Sequence, residues 1–140
     1  MQWTFRRSLD PEYFRITSNG TFFVADLEKL LDELPNAPDW SFGLPILFDN
    51  RNLNMGSGEH NEMREASVVL ANHIDLFGTH KIASLMGSHD DFARSRQIIS
   101  MAEPHTKTVV HAFYDEHEAL AWLLGSNYLA SLSFGPDEVS

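Results

Sequence analysis

The sequence predicts an α/β domain with a mixed, mostly parallel five-stranded sheet and the order β-β-α-β-α-β-α-β-α. Three observations carry this expectation. Short apolar runs at 44–48, 81–86 and 108–114 are of strand length. Stretches with apolar residues every three or four positions separate them, and Gly, Pro, Asn and Asp punctuate the joins. Strands that alternate with helices pair in parallel through right-handed crossovers, and an opening hairpin adds one antiparallel arm.

The elements follow in chain order. Residues 2–8 alternate with Trp3 and Phe5 on one side, and a Leu-Asp-Pro-Glu turn at 9–12 leads into a second arm at 13–18. After Asn19 and Gly20 the period becomes helical: Val24, Leu27, Leu30, Leu31 and Leu34 recur, and Pro35 stops the helix. Residues 36–45 read as a loop, and 44–48 as a strand covered on both faces. The next helix spans about 59–77, with Met63, Ala66, Leu70, Ile74 and Phe77 inward and Gly78 as a left-handed cap. Residues 81–86 form the fourth strand. Ser88 with Asp91 resembles a capping box that opens a helix through Ala102. Residues 108–114 form the fifth strand, Asp115 caps a last helix at 116–124, and Gly125 ends it. The domain is therefore drawn over 1–125, and 126–140 is a weakly patterned tail, partly docked or frayed.

Composition narrows the chemistry. A chain of 140 residues, 43% hydrophobic, fits one domain with a real core. With no cysteine it has no disulfide, thiolate nucleophile or cysteine-ligated metal. Twenty acidic against ten basic residues give a net charge of -10, which repels nucleic-acid phosphates. The absence of a long apolar run or a secretory-type start makes an integral membrane segment unexpected and a cytoplasmic location the default.

Four strings carry a resemblance: SNGTFFVADLEKLLDEL, ILFDNRNL, HKIASLMG followed by FARSRQ, and VVHAFYDEHEALAWL, which together span 18–124. With the element order, they make the chain similar to the SpoIIAA-like proteins. That group is related to the STAS domains of anti-sigma factor antagonists and, by fold, to CRAL-TRIO lipid carriers. The resemblance implies a compact α/β domain, non-catalytic in most members, that works through protein partners or carries small apolar molecules.

Each candidate site is weighed on its residues. In anti-sigma factor antagonists a serine at a comparable helix start is phosphorylated. Here the string is Met55-Gly56-Ser57-Gly58-Glu59, without the preceding acid and second serine, and Glu59 and Glu62 would oppose a phosphate. Ser57 is read instead as a cap or loop residue. Asp49 ends a strand as a receiver phosphoacceptor does, but the acidic pair and the strand-end lysine of that chemistry are missing. Asp49 is expected to organise its loop through Arg51 or backbone amides. Neither a Walker pattern nor a dinucleotide fingerprint occurs, and no two of the seven histidines have metal-chelating spacing.

These residues lead to a non-catalytic, STAS-like binding or regulatory domain. It would present the surface around 49–63 to a protein partner, with Asp49, Arg51, Ser57, Glu59 and Met63 as the candidates. The alternative is a small carrier that holds an apolar or lipid-like molecule against Phe22, Phe23, Trp40 and Phe42. Trp40 and Phe42 would equally suit a dimer face, so a homodimer is also open. No cofactor and no metal are expected.

Overall fold

The structure, a computed structural model, describes residues 1–56 and 59–132. Ser57 of the candidate partner surface, and residues 133–140 of the tail, lie outside the described residues.

Strands β1 (Gln2–Leu9), β2 (Glu12–Thr21), β3 (Ile46–Asn54), β4 (Lys81–Met86) and β5 (Val109–Phe113) form one sheet in the spatial order β1-β2-β3-β4-β5. The β1–β2 pair is antiparallel and every other pair is parallel. Helices α1 (Val24–Glu33), α2 (His60–His73), α3 (His89–Ala102), α4 (Glu116–Leu124) and α5 (Ser126–Leu132) complete the chain. The fold class is the one the periodicity predicts, with α5 as an addition. Two bounds change. The helix expected over 59–77 ends at His73 and continues as a 3-10 turn, Ile74–Phe77, capped by Gly78 at φ 68°. The third strand begins two residues later than expected and runs six residues further, through Asn54.

Alternation along the strands divides the core between the two faces. On the first face Phe14, Ile16, Ile46, Phe48 and Ile82 pack under Leu30 and Leu31 of α1, Ala66 and Leu70 of α2, and Ile98 and Ala102 of α3. On the second face Tyr13, Leu47, Ala83 and Leu85 pack under Ala119, Leu120 and Leu123 of α4 and Tyr128 of α5.

The two caps read from sequence are built as side-chain hydrogen bonds. The Asp91 backbone N–H donates to Ser88 Oγ at 3.1 Å, and the His117 N–H donates to Asp115 Oδ1 at 3.2 Å. Asp91 does not complete a reciprocal box. Its carboxylate instead accepts the Met55 N–H at 3.2 Å, which ties the end of β3 to the start of α3.

Candidate functional site

Strand β3 is irregular at its carboxyl end, and both candidate features grow from that irregularity. In the β2–β3 register Thr17 faces Asp49 but Asn19 faces Asn52, so β3 holds one residue more than its partner across this step. Such a bulge re-aims the side chains around it. Leu47 and Asp49 belong to the second face and Phe48 and Asn50 to the first. Beyond the bulge it is Leu53 that returns to the first-face core. Gly87 makes room for this path. A Cβ there would stand 2.2 Å from the Arg51 carbonyl oxygen.

On the second face Asp49 is nearly buried and accepts from two arginines. Arg15 Nη1 donates at 2.8 Å, and Arg51 donates through Nε at 2.9 Å and Nη2 at 2.8 Å. Glu116, the first residue of α4, accepts from Arg15 Nη2 at 2.8 Å and from Arg51 Nη2 at 3.3 Å. Two cations and two anions form a closed network. Burial works to raise the Asp49 pKa, but hydrogen bonds from Arg51 and the charges of Arg51 and Arg15 outweigh it and hold the carboxyl below its usual range. Arg51 is raised above its ordinary value, first by its hydrogen bond to Asp49. An acid so occupied is a poor phosphoacceptor or general base. It orients Arg51, whose side chain stays 45% exposed.

On the first face a cavity of about 80 Å³ lies between the sheet and the three crossover helices, partly open at the surface. Phe48, Asn50 and Leu53 of β3, Ile82 and Ser84 of β4 and Val110 of β5 form its floor. Leu27 of α1, Leu70 of α2, and Ser95, Ile98 and Ile99 of α3 form its walls, with Met1, Phe22 and Met55 completing the lining. No ionisable side chain lines it. Its polar side chains are Asn50, Ser84 and Ser95. Ser84 and Ser95 are buried, and their hydroxyl oxygens stand 3.5 Å apart.

The residues singled out from sequence are scattered across these features. Arg51 and Glu59 are exposed and Asp49 is the buried anchor of the ion network. Met63, the remaining candidate for the partner surface, faces the core. Its spacing with Ala66 and Leu70 places it on the inward stripe of α2, where it is buried. Of the four aromatic ligand candidates only Phe22 lines the cavity. Trp40 is packed edge-on against Phe14 at 5.2 Å and Phe77 at 5.9 Å. Phe23 and Phe42 are exposed, and the Phe42 ring lies over Gly78. Asn50, Ser84, Ser95, Arg15 and Glu116 were not among the candidates. A signal existed for the serines: Ser84 interrupts an apolar strand, and Ser95 sits on the stripe of Ile98 and Ala102. Nothing local marks Arg15 and Glu116, which are 101 residues apart in sequence.

The comparisons with known proteins bear on the fold. No protein-family model matches the chain, and no curated protein does. Among solved structures it is similar to an uncharacterized protein of the DUF3478 family from Shewanella loihica PV-4, described as having a SpoIIAA-like fold. The TM-score is 0.54 at 18% identity, over 87% of this chain and 92% of that one. The chain has a SpoIIAA-like fold. Among the described residues no helix is long and apolar enough to cross a membrane, and no three His, Asp or Glu side chains are grouped to hold a metal ion.

Proposed function

We propose that this SpoIIAA-like chain is a non-catalytic binding domain that holds a small, mostly apolar molecule in the cavity between its sheet and helices α1, α2 and α3. The observation that carries the reading is the lining: a concave, apolar space with a few convergent polar groups and no ionisable side chain. The non-catalytic part is supported by the state of the acids and bases. Asp49 is taken up by two arginines, and His73 is held between the Val69 carbonyl and Asp32. The four aromatic candidates do not converge, so the carrier reading moves from them to the lining of this cavity.

The test is native mass spectrometry of the full chain purified gently from its host. A bound small molecule adds mass that disappears on denaturation. That excess is expected in the wild type and absent from Val110→Phe, which fills the cavity from a half-buried position on β5. A bare mass for the wild type, with no binding of added small apolar probes, would refute the reading.

A second reading, a protein partner docking at the end of β3, is favoured by one observation. Arg51 is exposed yet held in place by the Asp49 fork, so little side-chain entropy is lost when it is engaged. An Arg51→Ala variant that leaves every partner interaction of the chain unchanged would set this reading aside.

A further inference from the structure

Resting on the cavity as the binding site, we propose that its ligand is an uncharged molecule with one hydrogen-bonding oxygen, a hydroxyl or carbonyl, that binds to Ser84 and Ser95. Three features of the lining lead there.

The first is the absence of charged side chains. No Lys, Arg, His, Asp or Glu lines the cavity, and the terminal ammonium of Met1, a lining residue, is already paired with Asp26 at 3.2 Å, so a charged ligand group would lose its hydration without a free counter-ion. The second is the state of the two serines. Each is 7% exposed. The gap of 3.5 Å between their oxygens exceeds the 2.7–2.8 Å at which hydroxyl pairs usually sit. The other contact of Ser84 is to the Met86 sulfur at 3.4 Å, a weak acceptor. Ser95 makes no other side-chain hydrogen bond among the described residues. Asn50, which lines the same space, makes no side-chain hydrogen bond among the described residues either. Buried hydroxyls so weakly paired leave capacity for one further oxygen. A ligand hydroxyl would accept from one serine and donate to the other, and a ligand carbonyl would accept from both.

The third feature is size. A volume of about 80 Å³ accommodates roughly five to eight water-sized groups. A cavity of about 150 Å³ takes a benzene ring, so a short chain or the oxygen-bearing end of a ring fits inside this one, and the rest of a larger molecule would extend through the open side.

The experiment is a titration of the isotope-labelled full chain by NMR with three probes: phenol, toluene and benzoate. Phenol and toluene have the same number of non-hydrogen atoms and differ in the hydroxyl, while benzoate adds charge. Phenol is expected to shift the amides of Ser84 and Ser95 and to bind about tenfold more tightly than toluene, the factor that one net hydrogen bond supplies. Benzoate is expected not to bind. In the double variant Ser84→Ala with Ser95→Ala, which leaves neither hydroxyl without its partner, the preference for phenol should disappear while toluene still binds. Equal affinities of the wild type for phenol and toluene would overturn the proposal and leave the apolar cavity standing as a binding site. Benzoate binding as tightly as phenol would overturn the neutrality of the ligand. Failure of all three probes to reach the cavity would overturn the binding reading itself, and this proposal with it.

Discussion

Replacing Gly87 by alanine tests the geometry at the end of β3 most directly. Gly87 follows β4, and its backbone lies against Arg51. An added Cβ would stand 2.2 Å from the Arg51 oxygen, 3.0 Å from its carbonyl carbon and 3.1 Å from its Cα. Ordinary contact begins at 3.4 Å, so the Arg51 oxygen would have to retreat by about 1.2 Å. No flexible side chain can yield, because all three atoms belong to the backbone of a hydrogen-bonded strand. Overpacking of this kind costs about 1–3 kcal/mol, and a backbone clash belongs at the upper end. The lower entropy of the unfolded alanine variant offsets less than about 1 kcal/mol of it. The net expectation is a loss of about 2 kcal/mol, or roughly 6 °C in Tm for a domain of this size. Urea unfolding followed by circular dichroism measures it, with Gly56→Ala as the comparison. Gly56 has φ 76° and, among the described residues, nothing within 4 Å of its built Cβ, so its substitution carries backbone strain and no contact with them; about 1 kcal/mol is expected there. A Gly87→Ala variant no less stable than Gly56→Ala would refute the close approach on which the placement of Arg51 rests.

Three further substitutions follow from the same structure. Asp49→Asn leaves Arg15 and Arg51 to share Glu116 and should cost about 2 kcal/mol at neutral pH, less than a fully buried pair because Arg51 is half exposed. Because the folded pKa of Asp49 is depressed, its contribution is present above the ordinary carboxyl value of about 3.9 and is lost as pH falls through the lower folded value. Urea unfolding of the two proteins should therefore converge only in strong acid. At His73 burial opposes protonation, but the Val69 carbonyl and Asp32, with the charge of Glu28, raise the pKa above its usual value. More protons are then bound in the folded state, so its contribution is complete below about pH 6.5 and fades as pH rises through the folded value. A stability profile measured against His73→Gln should show that downward slope in the wild type and not in the variant. Trp40→Ala removes the edge-on contacts to Phe14 and Phe77 and should cost about 3 kcal/mol in urea unfolding, with no loss of ligand binding because Trp40 does not line the cavity.

The regular parts of the fold were legible because their signals are local. The strand Lys81–Met86 and the helix Glu116–Leu124 have the bounds their patterns suggest, and the inward residues expected over 59–77 are all buried, Met63, Ala66 and Leu70 on α2 and Ile74 and Phe77 on the 3-10 turn that follows it. The join of β2 and β3 was not legible. Ser-Asn-Gly-Thr at 18–21 and Asp-Asn-Arg-Asn at 49–52 are turn-like compositions, yet they are strand because residues 17–21 pair with 49–54 around a bulge. Neither segment shows its partner in its own sequence. The candidate site fails for the same reason. Aromatic residues concentrated in the first third suggested a ligand cage, but Trp40 fills space between Phe14 and Phe77 instead of lining it. The cavity is lined by side chains from three strands and three helices, a set that only the folded topology assembles.

That topology also accounts for where charge and empty space fall. Strands β2 to β5 are neighbours in chain order, so successive crossovers of one hand place α1, α2 and α3 on the same face. The other face is left to the nine residues of α4 and the seven of α5, which reach over Leu47, Ala83 and Leu85. The end of β3 emerges beside the first residue of α4, where Arg51 meets water, and charged side chains are stable there because they pair with one another. On the helix-rich face no such exposure explains a polar residue. A larger apolar side chain in place of Ser84 or Ser95 would fill the cavity and contribute about 2 kcal/mol of burial at each position. Their long mutual hydrogen bond offsets little of that difference. A local rule broken at two adjoining positions, with the loss unrecovered within the chain, is the pattern expected where a protein keeps room for something else.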